Sequence, residues 1–396
     1  MNSLSGINFA SHLVPGSQVL WGVLIPLKYL RWCSKCLAMS TRPRISFDED
    51  GLCNACVWTE KKKTLDWDER ESKLEQLLDS QRSQDGSFDC IVPVSGGKDG
   101  SYVAHTLKNR WGMNPLAVTI KPPLPTDLGE QNLQAFIDSG FPHIAISPNA
   151  RAMRVLNKRG FIDMGFPYYG WLIAIETAPL HIAARFDCQL IFYGEDGEVE
   201  YGGSQETDLN PAVSFEYVKR VYFEAGYDLV LQNADLTAQE LAFFDFPKED
   251  LFGGTFPQRL NWSYFEDWDP YRNYLVAKEF CGLQEAEHSN AGTFTNFSQN
   301  DQFLYALHTY LMYLKFGFGR ANQDASIEVR RGAMDRDQAV ELVRIYDGQY
   351  PEEFEKMYLD YFEMTADDFH QVLDKWTNRT LFEIDGRLRS PTFVIV

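Results

Sequence analysis

The 396-residue chain is 44% hydrophobic and 23% charged, the composition of a water-soluble globular protein long enough to bury more than one core. Its 37 Lys and Arg against 56 Asp and Glu leave a formal net charge of −19, which excludes an extended polyanion-binding footprint over most of the chain. Seven cysteines in this length exclude a disulfide-stapled secreted scaffold, and four of them fall in two tight pairs.

Residues 1–30 read as an extension of unassigned role. Their apolar run, Val19 to Leu27, is too short to span a membrane, follows no basic cluster and precedes no small-residue cleavage site, so a cytoplasmic chain without a membrane span is expected. A compact module over residues 31–64 follows, and the charge balance reverses here: residues 1–64 hold eight Lys and Arg against four Asp and Glu. Cys33 and Cys36, then Cys53 and Cys56, form two C-x2-C knuckles. The span between them, with Pro43, a β-like Arg44–Phe47 and an Asp50-Gly51 turn, fits a hairpin. Four thiolates close a tetrahedral site with no open position, which points to structural zinc, with an iron–sulfur cluster as the alternative. Glu60 to Gln84 carries Leu65, Leu74, Leu77 and Leu78 at helical spacing and reads as a linker helix.

From residue 88 strands and helices alternate. Strands are expected at Cys90–Val94, Leu116–Ile120, His143–Ile146 and Gln189–Tyr193, and helices near Ser101–Arg110, Gly129–Ser139, Met153–Arg159 and Trp171–Phe186. That alternation predicts a doubly wound parallel α/β sheet, here assigned to a unit over residues 65–240, with ligands at the carboxyl ends of its strands. Beyond Glu240 the chain reads as helical and aromatic, and residues 241–396 are expected to contribute to the substrate site. Cys90, Cys188 and Cys281 read as reduced core residues, and His105 and His308 as packed or capping ones.

The first expected strand runs into Ser95-Gly96-Gly97-Lys98-Asp99-Gly100-Ser101 and then a helix. Two glycines let the backbone turn its N–H groups inward, and a helix start adds its positive end to the same place. Lys98 supplies a point charge, Ser95 and Ser101 supply hydroxyls, and Asp99 can hold magnesium or order the loop. The string is neither a Walker A loop nor a G-x-G-x-x-G turn, yet it suits a departing pyrophosphate. Thr119, in the second strand, is expected beside the nucleotide. After the fourth strand, GEDGEVEYGG offers Glu195, Asp196, Glu198 and Glu200. Glu195 and Glu200 are taken as the functional pair, one a base and the other a metal ligand. Arg320 and Arg330 could reach phosphates bidentately. Thr126, Gly129 and Asn132 suit either a contact to the adenosine or the cap of a helix.

Ser95 to Asp99 resembles the PP-loop of ATP pyrophosphatases, S-G-G-x-D followed by Ser or Thr, with Gly100 at the hydroxyl position and the hydroxyl displaced to Ser101. Cys33-Ser34-Lys35-Cys36, Thr41-Arg42-Pro43-Arg44, Gly51 to Cys56, Pro93 to Gly100, Gly194-Glu195, Glu200 to Gly203 and Lys315 to Ala321 appear in the same order. In that set the chain is similar to the N-acetyl sugar amidotransferases, over roughly Arg31 to Phe354. The resemblance implies an ATP- and magnesium-dependent enzyme of surface-polysaccharide biosynthesis. Such an enzyme converts an N-acetyl group of a nucleotide-linked sugar into an acetamidino group, through an O-adenylyl imidate that ammonia attacks. It also implies ammonia from a separate glutaminase and channelling subunit, and no nucleic-acid partner. The alternatives are a PP-loop tRNA thiolase, which the net charge disfavours, and a non-catalytic ATP-binding scaffold.

Overall fold

The computed structural model describes residues 30–252 and 256–395. The expected extension and its Val19–Leu27 run lie outside these residues, apart from Leu30. The cysteine module leads into helix α1 (Asn54–Lys62), and the charged linker becomes α2 (Trp67–Gln81), which buries Leu74 and Leu78. There follow β1 (Cys90–Pro93), α3 (Lys98–Asn109), β2 (Pro115–Ile120), α4 (Asp127–Asp138), β3 (His143–Ile146), α5 (Ala150–Met164), α6 (Tyr169–Phe186), β4 (Leu190–Tyr193) and the single turn α7 (Gly197–Tyr201).

The strands form a five-stranded, wholly parallel sheet in the order β3-β2-β1-β4-β5, where β5 is Gln258–Asn261. Period-two alternation sends its side chains to two cores. Ile91, Leu116, Val118, Ile120 and Ile191 pack against α5 and α6, while Cys90, Val92, Ala117, Leu190 and Phe192 pack against α3 and Phe136 of α4. Both faces are therefore covered, which is why these strands read as continuous apolar runs. The doubly wound parallel α/β sheet, the N-terminal four-cysteine module and the mainly helical C-terminal region are all present.

β5 lies beyond residue 240, so the expected boundary there cuts off the sheet's last strand. Gln258 and Arg259 hid it: a charged residue in a four-residue strand gives neither an apolar run nor alternation. Arg259 is buried because Glu176 of α6 accepts from its Nε at 2.9 Å and from a terminal nitrogen at 3.1 Å.

The remaining helices are α8 (Phe215–Tyr217), α9 (Tyr227–Gln232), α10 (Pro270–Cys281), α11 (Leu304–Phe316), α12 (Arg320–Arg331), α13 (Arg336–Tyr346), α14 (Glu355–Phe362) and α15 (Ala366–Trp376). An antiparallel hairpin of β6 (Phe382–Asp385) and β7 (Leu388–Pro391) follows them. α10 packs along α3. Among the described residues no helix is long and apolar enough to cross a membrane.

Candidate functional site: a cleft at the reversal of strand order

Strand order reverses between β1 and β4, because β2 lies to one side of β1 and β4 to the other. The loops leaving their carboxyl ends diverge and leave a crevice, the usual ligand position in such sheets. A cleft of about 830 Å³ lies here, lined by Ser95 to Gly100 from the first loop and by Glu195 from the second.

The first loop is shorter than expected, because α3 starts at Lys98 rather than near Ser101. Gly97 is its N-cap and offers no side chain, so the first-turn N–H groups keep their bonding capacity for whatever occupies the cleft. Gly96 has φ +80°, and a Cβ there would lie 2.4 Å from the Leu133 nitrogen of α4, so only glycine fits. Gly100 is fixed by a different contact: a Cβ would come 2.7 Å from the Pro93 carbonyl oxygen. The displaced hydroxyl on Ser101 does not take up the expected role. Ser101 is fully buried and its Oγ has no hydrogen-bond partner.

Lys98 donates to Asp99, whose other oxygen accepts from Asn273 Nδ2 at 2.9 Å and Trp268 Nε1 at 3.2 Å. Burial would lower the Lys98 ammonium, but Asp99 and then Glu195 outweigh it and hold it above its ordinary value. Burial likewise opposes the Asp99 carboxylate, and Lys98, Asn273 and Trp268 together keep its pKa below the ordinary value. Glu195 differs. Its carboxylate accepts from no other residue among the described ones, and burial, then the charge on Asp99, push its pKa up to about 7. Two carboxylates, one tightly held and one open, with a lysine between their charges, can share a divalent cation over a polyphosphate.

The four clustered carboxylates have four separate jobs. Asp196 caps α7, accepting from Glu198 N at 3.1 Å and Val199 N at 3.3 Å, and takes the Thr207 hydroxyl. Glu198 is held in a fork by Arg44, both bonds 2.8 Å. Glu200, expected to act beside Glu195, points away from the cleft. It accepts from Trp58 Nε1 at 2.9 Å and pairs with Lys62 at 3.1 Å, with both charged side chains under 10% exposed. Glu195 precedes α7, at the end of the loop leaving β4, whereas Glu200 sits within the single turn of α7 facing a lysine delivered by α1. Of these four carboxylates Glu195 alone lines the cleft with the glycine loop.

Arg320 lines the cleft and is braced by Asp324 at 2.8 Å. Arg330 does not reach it: nearly three turns further along α12, it donates to the Glu200 carbonyl at 3.0 Å and to Cys36 Sγ at 3.6 Å. Thr119 is also withdrawn, donating to the Val94 carbonyl at 2.6 Å inside the sheet. Thr126 caps α4 through Gly129 N at 2.9 Å, whereas Gly129 and Asn132 line the cleft. Residues missed in the sequence complete the wall: Tyr201, the Phe297–Asp301 segment and Tyr305. Asp301, half-buried and with its carboxyl pushed up to about 6 by desolvation, lines the same cleft as the glycine loop. Tyr201 lies within the Glu200–Gly203 string but has no role assigned to it there, and no motif marks the others, which meet the loop only through the fold.

The four knuckle sulfurs lie within 4.8 Å of one another, with Cys33–Cys56 and Cys36–Cys53 both at 3.6 Å. Four thiolates about 2.3 Å from one zinc ion sit about 3.8 Å apart, so the quartet matches a single tetrahedral ion. A four-iron cluster ties each thiolate to a different iron and spreads them wider. The Cys36 thiol is held well below its ordinary pKa by hydrogen bonds from the other three cysteines, and then by Arg330. Cys90, Cys188 and Cys281 are buried and free, their thiols pushed up by burial.

The sheet, its crevice and the cysteine quartet define a class, a doubly wound α/β protein with a glycine-rich loop at the crevice and a four-cysteine metal-ligand module. A more particular likeness comes from the C-terminal region. Residues 291–391 match the family described as LPS biosynthesis protein WbpG-like, C-terminal domain. An uncharacterized protein of Methanocaldococcus jannaschii is 29% identical over 89 residues, 22% of this chain and 32% of that protein, so the chain spans about a third of that relative's length. The U34-tRNA thiolase NcsA from Methanococcus maripaludis, solved with its 4Fe-4S cluster, aligns over 76% of this chain and 86% of that one. Its TM-score of 0.32 and 13% identity are too low to carry an argument.

Proposed function

We propose that this chain is an ATP-dependent amidotransferase of surface-polysaccharide biosynthesis. It would convert an acetamido group of a nucleotide-linked sugar into an acetamidino group, with ammonia supplied by a separate glutaminase and channelling subunit. One observation carries the reading. The segment matching the LPS biosynthesis domain supplies Phe297 to Asp301, Tyr305 and Arg320 to the same cleft that the Ser95–Gly100 loop closes from the other side. Phosphate chemistry and the sugar-pathway region thus share one wall.

The chemistry needs that cleft. An amide oxygen is a poor leaving group, so it first attacks the α-phosphorus of ATP and pyrophosphate leaves. Ammonia then adds to the imidate carbon, AMP departs with the former amide oxygen, and loss of a proton leaves the amidine. The first-turn N–H groups of α3 and Lys98 hold the departing pyrophosphate, and Arg320 takes charge on the opposite side. Magnesium fits the donor set of Asp99 and the unbonded Glu195, where it would neutralise phosphate charge. Zinc in the cysteine quartet would be structural, holding the module against α12 through Arg330.

The thiolase alternative calls for a reactive sulfur at the loop, and among the described residues no cysteine lines the cleft. To test the proposal, the protein would be incubated with labelled ammonium, magnesium ATP and diacetamido UDP-sugars. AMP, pyrophosphate and a sugar with one oxygen replaced by labelled NH are expected in equal amounts. ADP as the product, or sulfur incorporated into RNA, would overturn it. ATP bound without turnover under any of these conditions would leave the scaffold reading.

A further inference from the structure

Beside the cleft lies a second chamber, and nothing in the phosphate chemistry uses it. Its walls are largely apolar, with Met164, Phe166, Met312 and Phe318 among them, yet three cations enter it: Arg42, Arg44 and Lys315. Only two carboxylates face them, Glu198 and Glu224. Arg44 claims both, with bonds of 2.8 Å to Glu198 and of 3.0 and 3.1 Å to Glu224. Among the described residues Arg42 forms no ion pair, and its Nε is buried without a hydrogen-bond partner. Lys315 donates to the Met164 carbonyl at 2.9 Å and lies 5.2 Å from the Phe316 ring and 5.1 Å from the Trp376 ring, and among the described residues it forms no ion pair. His308, between them and the cleft, is neutral because burial and then Lys315 and Arg320 push its pKa down to about 3, and its Nδ1 also lacks a partner.

Arg42 and Lys315 are half-buried and feel Glu198 and Glu224 only at a distance, because Arg44 holds both carboxylates, so two cations in a largely apolar chamber lack a directly bonded anion that a ligand could supply. The chamber adjoins the cleft through one side chain. The Tyr201 ring, which lines the cleft, lies 5.8 Å from the Arg42 guanidinium and 6.0 Å from that of Arg320. The cysteine module delivers Arg42 and Arg44 on the loop between its knuckles, anchored where the Thr41 hydroxyl donates to the Phe316 carbonyl at 2.5 Å. Arg44 holds φ +64°, a conformation that its two carboxylate forks keep in place.

We propose that this chamber is the acceptor-substrate site, in which Arg42 and Lys315 clamp an anionic group of the acceptor while its neutral end reaches past Tyr201 toward the nucleotide. The inference rests on the proposed ATP reading for the direction of that reach, and its binding step is separable from it. The anion could be a diphosphate or a sugar carboxylate, which share the oxygen fork that a guanidinium reads.

The test is calorimetric titration of the full, metal-loaded chain without ATP. One probe is UDP-N-acetylglucosamine, which carries a diphosphate, and the other is glucuronate, which carries only a carboxylate. At least one is expected to bind the unmodified protein and to bind Arg42→Gln and Lys315→Met at least about tenfold more weakly. The probe that shows the loss identifies the source of the anion. Magnesium ATP, titrated separately, is expected to bind all three proteins alike, which also establishes that the variants fold. Arg42→Lys, which keeps the charge, is expected to retain more affinity than Arg42→Gln. Failure of both probes to bind the unmodified protein, unchanged affinity in both variants, or equal loss in Arg42→Lys and Arg42→Gln would overturn the proposal. Failure of ATP alone to bind would sink the nucleotide reading and leave the anion chamber standing.

Discussion

Glu195 and Glu200 look alike in the sequence, and substituting each by alanine should separate them. Glu200→Ala leaves Lys62 buried beside Asp267, which lies 2.7 Å away but is 60% exposed and a weak replacement. Burial already raises the Glu200 carboxyl despite Lys62, while Glu200 and Asp267 overcome burial to raise Lys62. The pair therefore roughly offsets its own desolvation, and the damage comes from orphaning one partner. Breaking a buried pair costs about 3 to 5 kcal/mol, and the remaining Asp267 places this case at the low end. Losing the acceptor for Trp58 Nε1 adds about 1 kcal/mol. A total of about 3 to 4 kcal/mol should appear in urea unfolding followed by tryptophan fluorescence. Glu195→Ala loses no hydrogen bond to another residue, and the repulsion from Asp99 that it relieves offsets the attraction to Lys98 that it forfeits, so its stability should stay within about 0.5 kcal/mol of the parent while magnesium-dependent turnover falls. Equal destabilisation by the two substitutions, or a Glu200→Ala protein as stable as the parent, would refute the division of labour.

Gly100→Ser would restore the hydroxyl of the usual PP-loop string, yet its Cβ would meet the Pro93 carbonyl, so it should weaken ATP binding and cost about 1 to 3 kcal/mol; tighter ATP binding in calorimetry would contradict this. Burial lowers the Lys315 pKa to about 8 from a model-compound value of 10.5. Between those values the unfolded chain holds the proton that the folded chain has shed, so stability should rise with pH there, and Lys315→Met should abolish that rise relative to the parent in urea midpoints. One metal per chain, zinc by elemental analysis and without iron–sulfur absorption, is expected for the quartet. Cys53→Ser should lose the metal and, with it, the Arg42-dependent binding of the anionic probe, because both stand on one module.

Much of the sheet was legible because strands buried on both faces read as apolar runs, and four of the five were placed within a residue or so. β5 was not, since Arg259 is made strand-compatible only by Glu176 from a distant helix. The glycine loop and the knuckles were legible because backbone geometry and metal geometry demand particular residues at fixed spacing. The roles of the carboxylates were not. Spacing could not show that Lys62 and Arg44, more than a hundred residues earlier, would take Glu200 and Glu198 and leave Glu195 alone in the cleft. Arg330 failed in the same way: its charge suits phosphate, but the helix phase of α12 aims it at the thiolates. Asn273 and Trp268, which fix Asp99, belong to no local pattern at all.

The central claim is that the loop from Ser95 presents the α-phosphorus of ATP to an acetamido oxygen. Heavy oxygen placed in the acetamido carbonyl of the sugar tests it most directly, with mass spectrometry of the nucleotide product. The label is expected to leave on the phosphate of AMP. Label retained on the sugar, or AMP free of it despite turnover, would contradict the account.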